Sequence, residues 1–63
     1  MSLTTVFLSR PAGVRITSNE PPIGLADANP QKWLLLDSIT LVNQRGARVT
    51  IPTENIASIE VVD

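Results

Sequence analysis

Apolar and polar positions alternate with a period of two over most of this chain, most clearly in its last third. Ile39 and Leu41 alternate with Thr40 and Val42, and Val49 and Ile51 alternate with Arg48 and Thr50. A half-buried strand has this spacing because successive side chains leave on opposite faces. Between the two runs lie Asn43, Gln44, Arg45 and Gly46, and a polar break containing glycine predicts a β-hairpin. A second break at Pro52, Thr53, Glu54 and Asn55 predicts a tight turn, after which Ile56, Ile59 and Val61 form a last strand.

The first third carries the same signal. Across residues 4–10, Val6 and Leu8 share one face, with Thr5, Phe7 and Ser9 on the other. Pro11, Ala12 and Gly13 predict a turn, since proline presets φ and glycine accepts a positive one. Val14 and Ile16, separated by Arg15, make a short second strand ending near Ser18. Over residues 19–31 the alternation disappears. Pro21 and Pro22 favour an extended path and cannot donate to a sheet ladder, and Gly24 loosens the segment further. So long a loop in so small a chain tends to carry function.

Residues 32–37 admit two readings. In one, Asn29 caps and Pro30 opens a short helix through Trp33, Leu34 and Leu36. In the other, 33–36 is a strand that kinks near Asp37 and Ser38 and runs into the hairpin. The apolar run is short and meets a β-pattern without a turn, which favours the strand.

The expected fold is therefore all-β: a small five-stranded barrel or a strongly curved antiparallel sheet, with a long proline-containing loop and room for one short helical turn. The hairpin at 39–51, the turn at 52–55 and the closing strand at 56–62 resemble the end of an SH3-like or Sm-like small β-barrel. The Ile51-Pro52, Asn55-Ile56 and Ile59-Glu60 pairs are also similar to bacterial pleckstrin-like domains and PRC-type barrels. The resemblance covers under half of the chain and implies a fold, not a function. SH3 domains that take proline-rich ligands use an aromatic surface, whereas this chain has only Phe7 and Trp33, which argues against that ligand class.

With 63 residues there is room for one domain, spanning 1–63. A domain of this size buries only about 60% of the surface its unfolded chain exposes, so its core is marginal. The usual supports are disulfides, a metal or association. Neither cysteine nor histidine is present, which removes the first and the best transition-metal ligands. Association is the support that remains. Only 17% of residues are charged, so part of the apolar surface is expected to lie in an interface. The net charge of −1 supplies no attraction to nucleic acid or to an anionic membrane. The start of the chain has no basic residue, and the longest apolar run, 33–36, is far too short to cross a bilayer. A soluble, cytoplasmic protein without a membrane partner is the expectation.

Catalysis finds little to work with. Without histidine or cysteine, the acid–base candidates are Asp27, Asp37, Glu54 and Glu60, with Lys32 as a lone amine, and they share no motif. The chain is expected to be no enzyme and to need no cofactor or metal. Two binding surfaces stand out instead. Asn43, Gln44, Arg45 and Arg48 place two guanidinium groups and two amides around the hairpin tip, where they can hold phosphate or carboxylate, although hairpin tips are polar in any case because they face water. Arg10 and Arg15 flank the Pro11–Gly13 turn as a second cationic group. For self-association the candidates are Ile23 and Leu25 in the proline loop, which either dock on a neighbouring subunit or cap the chain's own core, and Trp33 and Leu35, with Trp33 at the centre. The leading expectation is a non-catalytic assembly or adaptor module, homo-oligomeric, acting through protein–protein contacts. The alternative is a nucleic-acid-binding barrel of Sm-like type that uses Arg45 and Arg48, its charge gathered by symmetry.

Overall fold

The computed structural model describes residues 3–25 and 29–62. Five strands, β1 (Leu3–Leu8), β2 (Arg15–Ser18), β3 (Ser38–Val42), β4 (Arg48–Pro52) and β5 (Ile56–Val62), are joined by one helical turn, α1 (Pro30–Trp33), and a 3-10 turn (Thr53–Asn55). They form two antiparallel sheets: a three-stranded one in the order β2-β1-β5 and the β3-β4 hairpin.

Register explains the core. In the larger sheet Val6 stands opposite Ile16 on one side and Ile59 on the other, and Thr4 lies between Ser18 and Val61. In the hairpin Ile39 faces Ile51 and Leu41 faces Val49. These are the alternating positions of the sequence, and their inner faces meet. Val6, Ile39, Leu41 and Ile51 are buried, with Leu8, Ile16, Val49, Ile56, Ile59 and Val61 packed around them. Between β1 and β5 the register passes from Phe7–Ser58 to Leu8–Ile56, so Ala57 is bulged out. The bulge turns Ile56 inward, where strict alternation would send it to the outer face. Thr4 and Ser18 are the buried polar residues, and no buried side-chain polar atom of the described residues lacks a hydrogen bond.

The fold is all-β with one short helix, as expected; among the described residues the strands fall into these two antiparallel sheets, and no closed five-stranded barrel is found. The segment between β2 and β3 joins one sheet to the other. The Ser18 hydroxyl accepts from the Glu20 amide, turning the chain, and Pro21 and Pro22 then have no N–H to give. The loop then reaches the hairpin through a backbone bond from Ile23 N–H to the Thr40 carbonyl at 2.8 Å. Pro22 is buried at this seam.

The strand expected at 33–36 is a helical turn. The Asn29 side chain accepts from the Gln31 amide at 3.2 Å and Pro30 occupies the first turn, the arrangement of the competing reading. Winding continues past Trp33 through bonds from Leu34 N–H to the Pro30 carbonyl, Leu35 to Lys32 and Leu36 to Trp33. A helical pitch lets one residue of such a run face inward, and Trp33 is that residue. It is 2% exposed and belongs to the core cluster. Its expected place at the centre of a subunit interface is therefore corrected: the indole fills the space between the sheets. Among the described residues no helix is long and apolar enough to cross a membrane.

Candidate functional site

The hairpin tip is built around Asn43. Its side-chain oxygen accepts from the Arg45 amide at 2.9 Å and the Ala47 amide at 3.0 Å, while its backbone N–H donates to the Ala47 carbonyl. Gly46 N–H closes the turn onto the Asn43 carbonyl, with φ of 84° at Gly46, a conformation that costs other residues energy. Asn43 thus holds the loop in shape, and Gln44 and Arg45 project from it, exposed.

Opposite the tip lies β2. Arg15, Ile16 and Thr17 from β2, Asn43, Gln44 and Arg45 from the tip, and Val49 from β4 line one open groove of about 380 Å³. Ile16 and Val49 also pack on the core, which makes the floor apolar. Arg15 borders the groove from β2 and Arg45 from the tip, one arginine on each side. No acidic residue lines the groove, and among the described residues neither arginine is held in an ion pair.

The four tip residues singled out by sequence are thereby divided. Asn43, Gln44 and Arg45 border the groove; Arg48 does not, pairing with Val42 on the face of the hairpin turned away from the core. Arg15 joins Arg45 from thirty positions earlier in the chain, while Arg10 is exposed in the β1–β2 turn and outside the groove lining. Thr17 and Val49 were not candidates from sequence. Their part follows from the way β2 lies beside the tip, which alternation does not reveal.

A second surface is apolar. Leu34 is 40% exposed, Leu35 85% and Leu36 42%. They form a ledge leaving α1. The Thr53 hydroxyl donates to the carbonyls of Leu36 and Asp37, and its N–H donates to Asp37, which ties the ledge to the 3-10 turn. Ile23 is half exposed, whereas Leu25 packs partly against the core; the loop residues Glu20, Pro21, Pro22, Ile23, Gly24 and Leu25 line a shallow cleft of about 510 Å³. Of the four residues proposed for self-association, Ile23 and Leu35 lie at the surface, Leu25 caps the core and Trp33 is inside it.

The carboxylates are spread out. Asp37, Glu54 and Glu60 are exposed on three different elements, and Asp27 lies outside the described residues. Among the described residues no three acidic, histidine or cysteine side chains come together as metal ligands. Comparison with protein-family models, with curated proteins and with solved structures finds no match for this chain.

Proposed function

We propose that this protein is a non-catalytic assembly or adaptor module that works by presenting surfaces to other proteins, and that it self-associates through the 34–36 ledge. One observation carries the reading: three consecutive leucines stand 40%, 85% and 42% exposed on a chain with few charges. Contiguous apolar surface of this kind marks an interaction site. Leaving it in water gives up roughly 25 cal/mol for every Å² that a partner would cover. The occupant best suited to it is a second copy, since a domain this small gains stability from a neighbour. Ile23 belongs to the same reading as an exposed anchor. The order of hairpin, 3-10 turn and a last strand returning to β1 supports an SH3-like arrangement opened at β2. A cytoplasmic location, in keeping with the absence of cysteine, completes it.

The test is solution mass by light scattering across a concentration series, on the wild-type chain and on Leu35→Glu. The wild type is expected to exceed 6.8 kDa in a concentration-dependent way, and the variant to stay folded at that mass. A folded wild-type monomer at every concentration sinks the reading.

The competing reading, nucleic-acid binding of Sm-like type through Arg45 and Arg48, draws support from the addition of Arg15 to the patch. Against it stand Arg48 on another face and a groove lined by no aromatic residue on which bases could stack. Phosphate binding weakens steeply with salt, so a binding signal that collapses as salt rises and vanishes in Arg45→Ala/Arg48→Ala would favour it.

A further inference from the structure

We infer that the groove between β2 and the hairpin tip is a docking site for an extended acidic peptide of a partner protein, added as a strand along the free edge of β2. The inference rests on the reading of the chain as a protein-interaction module and names the partner class for a surface distinct from the leucine ledge.

The first support is geometric. Arg15, Ile16 and Thr17 are consecutive, and all three border the groove. Alternate side chains of a strand leave on opposite faces, so three neighbours border one space only along the strand's edge. That edge is unpaired among the described residues, because β2 has β1 on one side and no described strand on the other. A strand of four residues, Arg15–Ser18, directs the backbone N–H and C=O groups of about every second residue to its outer side. In a closed barrel these groups would meet β3. Pro21 and Pro22 follow β2 and have no N–H with which to carry a ladder past Ser18, and among the described residues β2 pairs with β1 alone. The groove borders its other edge, and strand addition is the binding mode an exposed edge supports.

The second support is charge. Arg15 and Arg45 stand on the two walls with no acidic residue in the lining and, among the described residues, no ion pair to occupy them. Guanidinium groups bind carboxylates bidentately, and flanking a peptide backbone they select aspartate or glutamate side chains. The apolar floor of Ile16 and Val49 suits the alternate, inward-facing side chain of the same peptide, a Val or an Ile. At about 380 Å³ the groove falls within the size range of ligand sites.

The probe is a blocked peptide, Thr-Val-Asp-Val-Glu-Val, about one strand in length. It is titrated into the isotope-labelled chain while amide resonances are followed by NMR. Saturable shifts are expected at residues 15–17 and 43–45. Arg15→Gln and Arg45→Gln, both exposed positions, are each expected to weaken binding about tenfold, and Arg48→Gln to leave it unchanged. A peptide N-methylated at alternate residues should fail, because it cannot donate to the β2 edge. The Leu35→Glu variant should bind the peptide as the wild type does, which separates this site from self-association. No saturable shift up to about 1 mM peptide, equal binding by the same peptide with Asn and Gln in place of its Asp and Glu, or shifts centred on 34–36 would each overturn the inference. Tighter binding of an oligothymidylate at residues 15–17 and 43–45 would overturn it in favour of nucleic acid.

Discussion

Two exposed regions, the leucine ledge at 34–36 and the groove beside β2, are held in place by opposite means. The ledge hangs from the interior: Trp33, 2% exposed, anchors the turn from which Leu35, 85% exposed, projects. The groove lies along the outer edge of β2 and is walled by a loop whose shape rests on the Asn43 side chain. The ledge has only apolar surface to offer, which suits a copy of the same chain. The groove offers direction, through an unpaired strand edge and two guanidinium groups, and that suits a particular sequence. In the proposed reading, affinity and specificity are divided between two places on a chain of 63 residues.

Substitutions at Trp33 and Leu35 separate anchor from ledge most sharply. Trp33→Ala is expected to remove about 3–5 kcal/mol. A domain of this length has a total stability of about 3–9 kcal/mol, so the variant should lose from about a third to all of it, read as a sharply lowered urea midpoint in circular dichroism. Leu35→Ala, two residues on, should change the urea midpoint by less than about 0.5 kcal/mol equivalent in dilute protein. Similar losses at both positions would mean that the indole is not what holds the turn.

The groove has its own weak point at Gly46. A side chain there meets no atom within 4 Å, so the cost of Gly46→Ala is that of the positive φ alone, roughly 1–2 kcal/mol. Thermal melts should show that loss, and Gly46→Asn should recover part of it. Self-association should survive both changes while peptide binding weakens. A smaller effect is expected for Asn29→Ala, which loses the cap on the Gln31 amide, at about 1 kcal/mol. Fraying of α1 should then weaken self-association and spare the groove. If Asn29→Ala instead disturbs residues 43–45, the two regions are coupled through the core and their separation fails.

How much of this was legible in the sequence depends on the range of the interaction concerned. Period-two alternation identified the apolar inward residues of the hairpin and of β1, because register follows locally from the pleat, but not Thr4, which is polar and buried. The run 33–36 has no period, and four apolar residues fit a strand or a turn equally; the Asn29 cap was the better guide. Pro21 and Pro22 were readable as breaks in a ladder. That β2 keeps an open edge beside Arg45 depends on which segments become neighbours. The meeting of Arg15 with Arg45 is a fact of topology, carried by no spacing in the chain.

The central claim is that the 34–36 ledge is where copies of this protein meet. An amide NMR dilution series of the wild-type chain tests it residue by residue. The account predicts concentration-dependent shifts at Leu34, Leu35 and Leu36, with Ile23 following and residues 43–48 unmoved. Spectra that do not change with concentration while the diffusion rate stays that of a 6.8 kDa monomer would contradict it, as would shifts centred on the hairpin tip.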